Sequence, residues 1–123
     1  YPLRRQRQMC IRDSLIWVWN CPTKGVYPGD DFVDIVSMDI YLPEYTATDY
    51  SEEYTKLVET TSPNKVAALT EVGYIPDIHL LEKSHTPWAY YMTWSEEFCI
   101  GEKFNSNENL KAMYDSQYAV TGK

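Results

Sequence analysis

An α/β fold built on parallel strands is predicted by three observations. Short apolar runs alternate with helix-patterned segments from Leu15 onward. The best-defined of these runs is apolar on both faces, as a parallel strand covered by helices is. The order strand, loop, strand, helix, strand, helix, strand, helix implies right-handed crossovers. Four strands are half of the eight that close a (β/α)8 TIM barrel of about 250 residues, so the 123-residue chain reads as half of such a barrel.

The elements follow in order. LIWVWN (15–20) is strand-like, with aromatic and β-branched residues and a stop at Asn20-Cys21-Pro22. The turn-rich PTKGVYPGDD comes next. FVDIVSMDIY (32–41) is the second strand and ends at Leu42-Pro43. Asp49-Tyr50-Ser51-Glu52 has the form of a capping box, with Asp49 as N-cap and Glu52 reaching back. Tyr50, Tyr54, Leu57 and Val58 then share one helical face, and Ser62-Pro63-Asn64 stops that helix. KVAALTE (65–71) is the third strand, and PDIHLLEKS (76–84) a short helix with Pro76 near its start. After the Thr86-Pro87 break, WAYYMTW (88–94) is the fourth strand. A polar loop leads to NENLKAMYDSQYAV, where Leu110, Met113 and Tyr114 form a helical stripe.

Charge divides the chain. All four arginines (Arg4, Arg5, Arg7 and Arg12) lie in the first twelve residues. Residues 1–14 carry a net +3, and residues 15–123 a net −10. The head YPLRRQRQMCIRDS lacks the apolar run of a secretory signal or a membrane span. A basic arm for nucleic acid is one reading of it. The preferred reading is translated sequencing-adapter read-through, which makes residues 1–14 a non-native head and 15–123 the domain. The acidic remainder argues against a nucleic-acid surface, which needs clustered Lys and Arg. Cys10 falls in the head; Cys21 and Cys99 have no metal-type spacing and read as two separate thiols. No phosphate loop, metal triad or nucleotide motif is present, so no metal or cofactor is implied.

In barrels of this kind the reacting groups sit at the C-terminal ends of strands. The second strand ends in Asp39-Ile40-Tyr41, the third in Glu71 and the fourth in Trp94. Simple alternation groups Asp39 and Tyr41 with Ile35 and Ser37, Glu71 with Ala67 and Leu69, and Trp94 with Trp88, Tyr90 and Met92. A carboxylate is costly to bury unless it is paired or has a task. Taken singly, Glu71 reads equally as a solvated loop charge, Tyr41 and Trp94 as core or rim aromatics, and Asp39 as a loop cap. Together they suit sugar chemistry: an indole stacks on a pyranose, a carboxylate meets an oxocarbenium-like centre, and a phenol aims that carboxylate.

WVWN (17–20), YPGDDFVDIVSMDIY (27–41), AALTEVG (67–73) and PWAYYMTW (87–94), in this order, resemble the C-terminal half of glycoside hydrolase family 26, best known for endo-β-mannanases. The likeness covers residues 15–121. It implies strands five to eight of a (β/α)8 barrel and retaining hydrolysis of internal β-1,4-mannosidic bonds through a glycosyl-enzyme. Residue by residue it implies Glu71 as nucleophile, Tyr41 as its strand-six contact, Trp94 as the sugar platform and Asp39 as an acidic neighbour in support. Gly73 is expected to let the chain turn away below the sugar. The partner implied is a β-mannan-type polysaccharide, and the family habit of export implies a secreted, cell-surface or periplasmic setting.

The departure from the pattern is the acid/base glutamate, which in the family ends strand four, usually after a histidine. No residue before Leu15 supplies it. Glu44, Glu96 and Glu97 follow strands in loops and read as rim charges, while His79 and His85 lie around a helix away from the mouth. The chain is therefore expected to be nearly inert alone, and its open sheet edges to self-associate. Two alternatives remain at this point: a glucanase or xylanase of the same family, and an inactive carbohydrate-binding remnant.

Overall fold

Four parallel strands lie in chain order in one sheet: β1 (Val18–Asn20), β2 (Ile35–Ile40), β3 (Val66–Val72) and β4 (Trp88–Thr93). They were traced in a computed structural model that describes residues 14–120; the basic head up to residue 13, with Cys10, lies outside the described residues. Helices α1 (Ser51–Thr60), α2 (Ile78–Ser84) and α3 (Asn107–Asp115) follow β2, β3 and β4 in turn. Short 3-10 turns at Asp30–Phe32 and Glu96–Phe98 complete the order. This is half of a (β/α)8 barrel, with the two outer strands paired on one side only among the described residues.

One face of the sheet packs on the helices. Val36, Met38, Ala67, Leu69 and Val72 meet Leu57 of α1 and the buried ring of Tyr50 there. Leu57 is fully enclosed, and burying a leucine side chain stabilises by roughly 1.5–3 kcal/mol. A second cluster joins Ile78 and Leu81 of α2 to Met113 of α3, with Trp88 and Tyr91 packed against it. The stripe expected on α3 is narrower than its sequence spacing, because Tyr114 is mostly exposed.

The strand ends are where alternation fails. Val36 pairs with Ala67, Ser37 with Ala68 and Met38 with Leu69, but Asp39 pairs with Glu71. Thr70 is therefore the extra residue of a bulge, and a one-residue slip moves everything after it to the other face. The expectation that Glu71 shares a face with Ala67 and Leu69 is corrected: those two lie in the helix-side core, and Glu71 stands beside Asp39. Irregular register in β4 has a similar result. Trp88 pairs with Ala67 and Tyr91 with Leu69, so Trp88 faces the helices rather than sharing the face of Trp94. Its ring meets Tyr54 edge-on at 5.2 Å, and its indole N–H donates to Asp49 O at 3.2 Å.

The helix starts show how far local signals hold. Asp77 caps α2, accepting from His79 N at 2.9 Å and Leu80 N at 3.0 Å, with Pro76 just before it. Ser106 caps α3 through Asn109 N at 3.1 Å. The capping box at α1 does not form. Tyr50, not Asp49, holds the cap position, in the left-handed region at φ 55°, and Asp49 accepts from Ser51 N instead. A buried phenol explains the exchange: Tyr50 Oη donates to Tyr74 O at 2.9 Å, which fixes the ring in the core and overrides the local cap preference. No helix among the described residues is long and apolar enough to cross a membrane.

Candidate active site

The C-terminal ends of the four strands bring polar side chains into one row. Asn20 ends β1, Asp39 lies near the end of β2, and Thr70 and Glu71 occupy the bulge of β3. Asn20 Nδ2 donates to Asp39 Oδ2 at 2.7 Å, and Thr70 Oγ1 donates to Asp39 Oδ1 at 2.8 Å. Buried Ser37 lies behind them, its hydroxyl 3.1 Å from that of Thr70 and donating to Trp19 O at 3.3 Å. Both Asp39 oxygens are thus engaged by neighbouring strands, which holds the carboxylate between the ends of β1 and β3.

Tyr41 lies just beyond β2 and reaches across to β3, where its hydroxyl donates to Glu71 Oε2 at 2.8 Å. Removal of water around the phenol, then the hydrogen bond and charge of Glu71, then the charge of Asp39 push the Tyr41 pKa up to about 12. At neutral pH the phenol is therefore a proton donor held to one carboxylate oxygen. Charge-assisted bonds of this kind fix direction as well as adding energy.

Trp94 follows β4 directly. Its backbone N–H donates to Val72 O at 3.3 Å, which seats it beside the end of β3, and its indole is half exposed. The structure therefore pairs Tyr41 with Glu71, sets Asp39 in register with Glu71 and ties the Trp94 backbone to the same strand end. The other candidates stand apart. Glu97 is bonded to Lys103 Nζ at 2.6 Å, and Glu44 is exposed. His79 is exposed on α2 near Glu82, and His85 ends that helix in the left-handed region at φ 53°. Cys21 and Cys99 are free thiols. Among the described residues no group of three or more His, Cys, Asp or Glu is arranged to hold a metal ion.

Gly73 does something other than expected. Its φ is not in the positive range, so no turn there depends on a glycine. Space is the constraint: a Cβ would stand 3.2 Å from Phe98 Cε1 and 3.3 Å from Tyr41 Cδ1. The two rings lie over Gly73 and meet edge-on, with centroids 5.7 Å apart. Phe98 in turn stacks on Phe104 at 4.1 Å. Beneath them Asn105, only 2% exposed, donates to Gly73 O at 2.8 Å and Phe98 O at 3.1 Å and accepts from Ile75 N at 2.8 Å.

Asn20, Thr70, Phe98 and Asn105 escaped the sequence reading as site residues. Asn20 carried a signal, an amide at a strand end, and Thr70 another, a hydroxyl beside Glu71. Asn105 is an ordinary asparagine in a loop until the loop folds over it, and Phe98 is one of two phenylalanines in that loop with nothing local to single it out.

A sequence model of glycosyl hydrolase family 26 matches residues 3–123. A mannan endo-1,4-beta-mannosidase of Thermothelomyces thermophilus is 37% identical over 109 residues, which is 89% of this chain and 22% of the relative. Mannan endo-1,4-beta-mannosidase B of Piromyces sp is 29% identical over 83% of this chain and 17% of its own length. Among solved structures, a GH26-CBM35 beta-(1,4)-mannanase of Podospora anserina superposes with a TM-score of 0.76 at 34% identity, covering 89% of this chain and 24% of that one. A beta-mannanase from a symbiotic protist of the termite Reticulitermes speratus, complexed with gluco-manno-oligosaccharide, superposes with a TM-score of 0.72 at 30% identity, over 89% and 34% of the two chains. The chain spans about a fifth of the length of the curated relatives it matches first.

Proposed function

The chain belongs to glycosyl hydrolase family 26, and from that premise we propose that it carries the nucleophile side of a retaining site for internal β-1,4-mannosidic bonds. Glu71 is the nucleophile, Tyr41 aims it, Trp94 stacks under the sugar at the cleavage point, and Asp39 supports the row from the β2 end. The observation that carries this reading is the 2.8 Å hydrogen bond from Tyr41 to Glu71 Oε2 at the strand ends.

The chemistry follows in two displacements. A Glu71 oxygen attacks the anomeric carbon as the glycosidic C–O bond breaks, giving a glycosyl ester on Glu71 and a leaving-group oxygen that must take up a proton. Water then attacks the same carbon, giving up its proton to a base, and the ester bond breaks to free Glu71. Tyr41 donates to Glu71 Oε2 and so aims the carboxylate at the anomeric carbon. The proton donor is a second carboxyl about 5–5.5 Å from Glu71 in a retaining pair. Among the described residues no strand end offers one besides Asp39, whose oxygens are engaged by Asn20 and Thr70. The donor therefore comes from outside these residues, and the chain alone turns over slowly. Proton donation of this kind is typically worth ~10²–10⁴-fold.

The substrate class is β-mannan or glucomannan, following the names of the relatives. A polymer of that size meets the enzyme outside the cell, at its surface or in the periplasm. The test is to graft this segment in place of the matching segment of the 37% identical Thermothelomyces relative and to substitute Glu71→Ala. Mannan hydrolysis should vanish while oligosaccharide binding persists, and a 2-fluoro-mannoside with an activated leaving group should label the Glu71 peptide only in the unsubstituted graft. Full hydrolysis by Glu71→Ala would sink the reading.

A further inference from the structure

The proposed site places Tyr41 on Glu71, yet Tyr41 is 47% exposed and stands just past the end of a strand. A ring so placed keeps one orientation only if something packs against it. One flank is occupied by Phe98, which comes from the loop after β4 and meets Tyr41 edge-on at 5.7 Å. The floor is Gly73, with no side chain to push either ring away. Phe98 is itself held twice: the Phe104 ring packs on it with centroids 4.1 Å apart, and Asn105 holds its carbonyl. The same Asn105 amide holds Gly73 O and Ile75 N, so one buried side chain ties the loop after β3 to the loop after β4. All the hydrogen-bonding capacity of its NH₂ is spent across these two loops.

We infer that Phe98, tied by Asn105 to the Gly73 backbone, is a positioning residue that holds the Tyr41 hydroxyl on Glu71. Its place four residues after Trp94 gives the brace a further consequence. The 3-10 turn Glu96–Phe98 joins the two, so the loop that carries the proposed sugar platform also aims the nucleophile. This inference rests on the proposed role of Glu71 for its catalytic meaning and on the packing alone for its geometry.

Two measurements separate these. In the 123-residue chain, tyrosinate absorbance, with each variant read against the same variant carrying Tyr41→Phe, isolates Tyr41, whose pKa burial and Glu71 push up to about 12. Glu71→Gln should lower that pKa toward 10.0, the ordinary tyrosine value. Phe98→Ala should lower it in the same direction, and Phe98→Tyr, which keeps the edge contact, should leave it high. Asn105→Asp, which keeps the side-chain shape and loses the donors, should lower it as well and covers the case in which Phe98→Ala does not fold by circular dichroism. In the graft, Phe98→Ala should reduce kcat by ~10–100-fold with KM little changed, as a small misplacement of reacting groups does, and Phe98→Tyr should restore it. A Tyr41 midpoint unmoved by both Phe98→Ala and Asn105→Asp overturns the inference. So does a Phe98→Ala effect confined to KM, which would make Phe98 a substrate contact. Persistent hydrolysis by Glu71→Ala would remove the function proposed above but leave the titration to judge the brace.

Discussion

Tyr41 and Glu71 are joined by a 2.8 Å hydrogen bond that crosses from just beyond β2 to the bulge of β3. The bond exists because Thr70 is an extra residue in its strand, which turns Glu71 away from the helix-side core and toward Asp39 and Tyr41. A hydrogen bond to a charged group is worth about 1.5–3 kcal/mol. If most of that is realised in aiming the carboxylate, Tyr41→Phe in the grafted enzyme should reduce kcat by roughly 10–100-fold with KM little changed. Steady-state kinetics on soluble manno-oligosaccharides decides it, and an unaltered kcat would mean that Glu71 is aimed without the phenol.

Gly73→Ala should cost stability although the backbone there is ordinary. The added methyl would sit 3.2 Å from Phe98 and 3.3 Å from Tyr41, closer than comfortable contact, and overpacking typically costs about 1–3 kcal/mol. Because the obstacle is two rings and not backbone, the loss should shrink in Gly73→Ala combined with Phe98→Leu. Urea unfolding of the two single variants and the double gives the coupling. Strict additivity would count against the contact.

The core gives a prediction independent of any site. Leu57 is wholly buried between α1 and the sheet, among Val36, Leu69 and Val72. Leu57→Ala should therefore lower stability by about 2–5 kcal/mol, enough to unfold a marginal domain. Thermal unfolding followed by circular dichroism would show it, and a loss no larger than that of an exposed substitution would mean that the core is loose.

The outer strands make a prediction about association. β1 pairs only with β2 and β4 only with β3 among the described residues. Near β1 the side chains of Leu15, Ile16, Trp17 and Val18 are all exposed, as is Met92 on β4. Unpaired edges beside apolar surface recruit other chains, so sedimentation of the 123-residue chain should show dimers or larger species that Ile16→Lys reduces. A monomer at all accessible concentrations would refute this.

Much of this architecture could be read from residue pattern, for identifiable reasons. VDIVSMDI and VAALTE are long apolar runs bounded by turn residues, so strand identity did not depend on fine detail. Glu71 stood out because a carboxylate followed such a run. Which face it occupies was hidden, since one bulged residue reverses the alternation and nothing in Leu69-Thr70-Glu71 marks it. The cap of α1 departs from local preference for a related reason: the Tyr50 hydroxyl bonds the Tyr74 carbonyl, a contact 24 residues away that local preference cannot contain. Asn105 was invisible as a site residue because an asparagine in a polar loop is ordinary until the loop folds over it.

The last prediction concerns acid. Asp30, in the turn before β2, accepts from Tyr27 Oη and from Ser62 Oγ, each at 2.9 Å. The Tyr27 hydrogen bond first, and the Ser62 bond next, hold the Asp30 carboxyl below its ordinary value of 3.8. A carboxylate whose folded pKa is depressed binds protons more weakly when folded than when unfolded. It therefore adds stability above the ordinary value, and that contribution fades as pH falls through the lowered one. Asp30→Asn should lower the unfolding midpoint at neutral pH, and the gap between the two proteins should close on acidification below 3.8. Since Asp30 joins the loop before β2 to Ser62 at the end of α1, the local probe is amide exchange around residues 62–64. Protection there should fall in Asp30→Asn at neutral pH, and the two proteins should converge in acid. A gap that stays constant with pH would assign the stabilisation to the shape of the turn and not to the charge.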